Sequence, residues 1–132
     1  MDLGDLQARL ASYIKRRDEL KAKIRRLKAA KTVIQTSKNN LSAAATRLNG
    51  KVNSQDFYGY WSGDTQKDAQ NFAGGVVVTE YNYYVRMVDC RLDDICDEIT
   101  RLENELSSVL GIIGQIQAAI NNLLNEIEKA TN

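Results

Sequence analysis

From Leu3 to Leu48 the seam positions of the chain step through 3, 6, 10, 13, 17, 20, 24, 27, 31, 34, 38, 41, 45 and 48, alternating threes and fours without interruption. That period of 3.5 residues belongs to a helix laid along another helix and is incompatible with a strand, whose side chains repeat every two residues. One position of each heptad carries Leu6, Tyr13, Leu20, Leu27, Ile34, Leu41 and Leu48, all apolar. The other carries Leu3, Leu10, Arg17, Ile24, Lys31, Lys38 and Ala45, so the seam is interrupted by three cations. Such cations either snorkel to the flank on their long stems or weaken a self-contained pair and so encode partner choice. A second tract runs from Tyr81 to Ala130, with Val85, Leu92, Ile99, Leu106, Ile113, Ile120 and Ile127 interleaved with Val88, Ile95, Leu102, Val109, Ile116 and Leu123. This seam is apolar throughout.

The two tracts predict a single helical domain over 1–132, with helices over 2–49 and 65–131 and a bend over 50–64. The absence of proline, a charged content of 27% and a hydrophobic content of 43% suit long helices with one connected core. The expected fold class is all-α, an antiparallel helical hairpin or coiled coil. The opening MDLGDLQARL shows no cationic leader followed by an apolar stretch, and no run approaches the ~18 apolar residues that span a bilayer. Neither a cleavable signal peptide nor membrane insertion is expected. Cys90 and Cys96 lie six apart on a predicted helix, a rise of about 9 Å, too far for a bridge whose Cα atoms must approach within ~7 Å. Reduced thiols fit a cytoplasmic setting.

Histidine is absent. Without it there is no Ser-His or Cys-His pair, and two helical cysteines alone cannot build a tetrahedral zinc site. The glycines at 74–75 and in GIIG at 111–114 lack the spacing and preceding strand of a phosphate-binding loop. Carboxylates on coiled-coil flanks read as solvated or paired charge. The expectation is a protein that is not an enzyme and uses no metal or cofactor.

Between the tracts, NGKVNSQDFYGYWSGD holds Asn49-Gly50, Gly59 and Gly63, residues of turns and helix stops. Asp64 or Thr65 can cap the next helix, and Thr65 with Asp68 has capping-box spacing. The segment AGGVVVTEYNYYV at 73–85 is a poor helix former, because its two glycines cost roughly 2 kcal/mol relative to alanines. A bulge, kink or short extended piece fits there. A helix nevertheless keeps Phe72, Val76 or Val77, Tyr81 and Val85 on one face.

Charge tests the hairpin independently. Residues 1–52 hold 13 Lys and Arg against 4 Asp and Glu, a balance of +9, and residues 53–132 hold 5 against 13, a balance of −8. Folding at about residue 57 places position i opposite roughly 114 − i and sets the basic run Arg9 to Lys31 against Asp89, Asp93, Asp94, Asp97, Glu98, Glu103 and Glu105. Each surface pair contributes only ~0–1 kcal/mol, but the pattern selects antiparallel pairing. It also gives KRRDELKAKIRRLKAAK an internal partner, so nucleic-acid binding is not expected. In this register some 20 residues of the second helix project past the N-terminus. They carry Ile112, Ile113, Ile116, Ile120, Leu123, Leu124 and Ile127, and burial of each is worth about 1.5–3 kcal/mol, so the stripe demands cover. Either the second helix breaks near Gly111 and Gly114 and folds back, or the stripe binds a partner.

A helix, a bend carrying Trp61-Ser62-Gly63 and a second helix resemble the WXG superfamily of type VII secretion substrates. The chain is more closely similar to the YwqH-like small helical proteins encoded beside LXG polymorphic toxins. The likeness lies in a Lys-rich first coiled coil, a bend in which Tyr60 and Trp61 precede Gly63, Asp68 and Phe72 following it, and a long second helix. One feature departs from the superfamily, whose export signal is a Tyr followed four residues later by Asp or Glu. Tyr81, Tyr83 and Tyr84 are followed at that spacing by Val85, Met87 and Val88. This fits a helper that contributes to a composite signal with a larger cargo.

The resemblance implies a non-enzymatic targeting factor or chaperone that binds the helical N-terminal domain of an LXG toxin, alone or with a second small helical partner. It implies a secretion-machinery docking bend at Tyr60, Trp61 and Gly63 that engages a type VIIb secretion ATPase, and a cytoplasmic location or export with the cargo. Trp61 can equally plug the end of the hairpin core against Phe57, Tyr60 and Phe72. Two rivals remain: a structural coiled coil that zips two copies through the tail, and a secreted WXG effector in its own right.

Overall fold

The chain enters its first helix through Asp2. Its side-chain Oδ1 accepts the backbone N–H of Asp5 at 2.8 Å, and its carbonyl accepts that of Leu6 at 3.1 Å. One orphaned donor of the first turn is thereby satisfied, and negative charge sits at the positive end of the helix dipole. The computed structural model describes residues 2–52, 67–68 and 71–131. Helix α1 spans Leu3–Val52, 50 residues with Lys51 in its last turn. It runs through Asn49-Gly50, where the sequence predicts a stop. Nothing lies within 4 Å of where a Cβ on Gly50 would stand, so this glycine is an exposed helical residue.

The glycine-rich stretch after the bend is neither a break nor an extended piece. Phe72–Val77 forms a six-residue π-helical turn that leads directly into helix α2, Val78–Thr131, 54 residues long. A π turn holds one residue more than an α turn and so rotates the side chains before it by about 100° relative to those after it. Val77 is accordingly half-buried on the side that continues through Tyr81, Val85 and Val88, whereas Phe72 and Val76 are exposed. The expected face that included Phe72 is corrected by that extra residue. Helix α2 passes through Gly111 and Gly114 unbroken, so the fold-back into a third helix is not adopted. Hydroxyls inside the helices bond back to the carbonyl four residues earlier, Thr36 to Thr32, Thr46 to Ser42 and Ser108 to Asn104, at 3.0 to 3.2 Å.

Two compact units divide the chain, Met1–Ala29 with Asp97–Asn132, and Ala30–Cys96. In the first, Leu20, Ile24, Leu102, Val109 and Ile113 form a buried cluster, with Leu10, Tyr13, Ile14, Leu27 and Leu106 packed on it. These are heptad seam residues of both tracts, Ile14 excepted, meeting as an antiparallel pair. Arg16 pairs with Glu105 and Lys28 with Glu103 across it. In the second unit Ala45 and Leu92 are the buried apolar residues among those described, and Lys38 pairs with Asp89. No strand occurs among the described residues. The fold is the expected all-α hairpin.

The register differs from expectation. The cross-helix pairs Arg16 with Glu105, Lys28 with Glu103 and Lys38 with Asp89 have residue numbers adding to 121, 131 and 127. Position i therefore lies opposite roughly 126 − i, not 114 − i, and α1 begins opposite about residue 123. Every described residue from 124 onward is exposed, so the projecting tail is about eight residues long, not 20.

Candidate functional site

The shift in register redistributes the tail stripe. Ile113 and Ile116, placed by the sequence on a projecting tail, are each only 5% exposed, and Ile113 belongs to the core cluster with Leu20 and Ile24. Ile112, Ile120 and Leu123 are half-buried. Leu124 and Ile127 alone of the seven are open, at 44% and 46%. The reading of the whole stripe as uncovered is thus corrected for its first members, because α1 reaches further along α2 than the assumed bend allowed. Tyr60, Trp61 and Gly63 lie outside the described residues.

The seam cations have intrachain neighbours. Lys38 is paired with Asp89, and the Arg17 guanidinium donates to Asp18 at 3.0 Å. Lys31 is half-buried. This is the geometry expected when long stems cover a seam and carry their charge to its edge.

Charge on the flanks of the first unit is organised around Arg101. Its guanidinium donates to both oxygens of Glu98, at 2.9 and 2.5 Å, and lies 3.6 Å from Glu105. The Arg101 hydrogen bond holds the Glu98 carboxyl below its usual range, and the Arg16 hydrogen bond does the same for Glu105. The Glu98 hydrogen bond in turn raises Arg101. Arg101 is exposed and the two carboxylates are only half-buried, so solvent screens the pairs and they orient the pairing more than they stabilise it. Among the described residues no three His, Cys, Asp or Glu gather as metal ligands, and no helix is long and apolar enough to cross a membrane. Cys90 is exposed and Cys96 half-buried, and the two form no disulfide.

The structure also shows a surface that the sequence reading missed. Within the second unit Phe72, Val76, Tyr83, Tyr84 and Met87 are all exposed large apolar residues, between 44% and 60% accessible. Val76 and Tyr84 flank the seam residue Tyr81, and Tyr83 and Met87 lie further round the helix from it. Tyr83 and Tyr84 meet edge to face with ring centroids 5.9 Å apart. Next to them Leu41, Val76, Val77, Glu80, Tyr81 and Tyr84 line an apolar cleft of about 400 Å³. The available signal was the spacing of 76, 80, 83, 84 and 87, a second helical face beside the seam.

Within each unit two helical segments pair antiparallel with an ion pair between them, and in the second an apolar face stands exposed beside the pair. The YwqH-like family model matches residues 4–125 of the chain. The chain belongs to the YwqH-like family. No curated protein and no solved structure matches it.

Proposed function

We propose that this protein is a non-enzymatic targeting factor or chaperone that binds the helical N-terminal domain of an LXG toxin and helps deliver it to a type VIIb secretion system. The observation that carries the reading is the apolar outer face of α2 at Phe72, Val76, Tyr83, Tyr84 and Met87, exposed in a chain whose seam is otherwise filled by its own residues. Isolated exposed apolar residues are ordinary, but a contiguous aromatic face beside an apolar cleft is a surface for a further helix. Family membership supports the choice of partner, since the YwqH-like proteins are the small helical proteins encoded beside such toxins. In this reading the toxin helix, alone or with a second small helical protein, covers that face and the open ends of the tail at Leu124 and Ile127. The bend at Tyr60, Trp61 and Gly63 then engages the secretion ATPase, and the protein acts in the cytoplasm or leaves with its cargo.

Co-expression with and without the LXG domain of an adjacent toxin, followed by light scattering on the purified species, tests the proposal. A heteromer of defined mass is expected, and Trp61→Ala is expected to leave that mass unchanged while blocking export. A chain that ignores the LXG domain refutes the reading and leaves the structural coiled coil in its place.

A further inference from the structure

Helix α2 carries on its outer side an acid, two large apolar residues and a base at Glu80, Tyr84, Met87 and Arg91, spaced i, i+4, i+7 and i+11. Such spacing keeps them on one ridge of the helix. Tyr84 is 54% and Met87 44% exposed. The Arg91 side chain is 76% exposed and only loosely engaged, 3.7 Å from Asp94. Glu80 is exposed at the rim of the apolar cleft. From the ridge pattern we infer that α2 pairs with α2 of a second copy of this chain, antiparallel, about a two-fold axis between Tyr84 and Met87.

The argument is one of self-complementarity. Positions 80 and 91 and positions 84 and 87 both add to 171, so a single antiparallel register satisfies all four residues at once. Each Glu80 then meets Arg91 of the second copy, and each Tyr84 meets Met87 of the second copy. A two-fold contact of this kind uses the same patch twice, which is what an isologous dimer requires. The parallel arrangement sets Glu80 on Glu80 and Arg91 on Arg91, and like charges at facing positions are unfavourable. Tyr83, edge-on to Tyr84, widens the apolar strip on one side. The cleft beside Tyr84 widens it on the other and gives the adaptable Met87 of the second copy room to settle. Helix α1 is not the complement. The large apolar residue exposed on it is Val33, and its outer surface is crowded with cations, Arg25 and Arg26 beside Ala22 and Ala29 among them.

The pairing covers the aromatic face when no other helix does, and it stands or falls on the chain by itself, independently of any toxin. Light scattering and sedimentation of the full chain alone, from micromolar to millimolar concentration, provide the test. The expected result is a monomer–dimer equilibrium that Glu80→Arg and Arg91→Glu each weaken at least about tenfold, since each removes both symmetry-related charge pairs and sets a like-charge contact in place of each. The double variant E80R/R91E should recover wild-type affinity to within about threefold, because the swapped charges again face their opposites. Met87→Lys, at an exposed position, should dissociate the dimer with the helical circular dichroism unchanged. A chain that is monomeric throughout overturns the inference. So does a dimer whose double variant is no tighter than the single ones, and so does one that survives these changes but is lost on Leu124→Lys or Ile127→Lys, which places the contact on the tail.

Discussion

Truncating Ile116 and Ile127 separates the observed register from the one that charge alone predicts. Both are heptad seam residues of α2, and in a hairpin paired by 114 − i both would project past α1. In the structure Ile116 is 5% exposed and Ile127 46% exposed. Replacing isoleucine with alanine removes three carbons, about 2.4 kcal/mol of transfer free energy at ~0.8 kcal/mol per carbon when the side chain is fully buried. At Ile116 a cavity adds to this, for a loss of about 2.5–4 kcal/mol within the 2–5 kcal/mol seen for such truncations. At Ile127 roughly half of the transfer term applies and no cavity forms, so the loss is about 1 kcal/mol or less. Urea unfolding followed by circular dichroism at 222 nm reads the difference. With a slope near 2 kcal/mol per molar, Ile116→Ala should lower the midpoint by more than about 1.2 M and Ile127→Ala by less than about 0.5 M, with slopes unchanged. Equal, small shifts for the two variants would refute the register and return Ile116 to the exposed stripe.

Three further outcomes come from the helices themselves. Gly111→Ala and Gly114→Ala should each stabilise the chain by about 0.5–1 kcal/mol in the same assay, since nothing stands within 4 Å of a Cβ at either position and both lie inside a continuous helix. A loss of stability instead would mean that the chain bends there. Asp2→Ala should lower stability by about 0.5–2 kcal/mol through the lost cap on the Asp5 N–H, and fraying of the first turn should appear as faster amide exchange at Asp5 and Leu6. Glu105 is held below its usual value of 4.5 by the Arg16 hydrogen bond. Its folded value lies below its unfolded one, so its contribution is present above pH 4.5 and is lost as pH falls through the folded value. Glu105→Gln should therefore flatten the decline in stability below pH 4.5, and added salt should shrink the difference because the pair is exposed.

The class of fold and the seam were open to reading because heptads are local. Leu20, Ile24, Leu102, Val109 and Ile113 stand at seam positions in both the sequence and the core. Register was not readable, and the reason is physical. A strict repeat matches itself after any slide of seven residues, so apolar rows meet in several alignments. The opposed charge runs are long blocks, and blocks stay complementary when slid by a heptad or two. Arg16 with Glu105 and Lys38 with Asp89 satisfy the same electrostatic rule as the alignment expected from charge, about 12 positions away from it. Of the bulge, kink or extended piece expected at 73–85 the chain takes a bulge, the π turn at Phe72–Val77, but its effect on the seam was hidden for a related reason. One inserted residue decides whether Val76 or Val77 joins the seam, and both are valines. The Trp-x-Gly bend belongs to the residues outside the described structure, so its part in docking rests on the resemblance and on the export test.

What distinguishes the first third of α2 from the rest is that it is apolar on two sides. Val77, Tyr81, Val85 and Leu92 face the seam, while Val76, Tyr84 and Met87 face outward. Further along, the corresponding outward positions are held by Glu98 with Arg101, an ion pair that closes on its own helix and asks for no neighbour. A helix flanked by a seam on one side and solvent on the other has no need of a second apolar face. Two such faces over the same turns leave the outward one without a helical neighbour among the described residues. The larger exposed apolar surface therefore lies at residues 72–87 and not on the tail, where Leu124 and Ile127 remain open once α1 has covered Ile113 and Ile116. The tail is the natural candidate only in a hairpin paired about 12 residues too short. With the register corrected, the exposed apolar surface moves to the other end of α2.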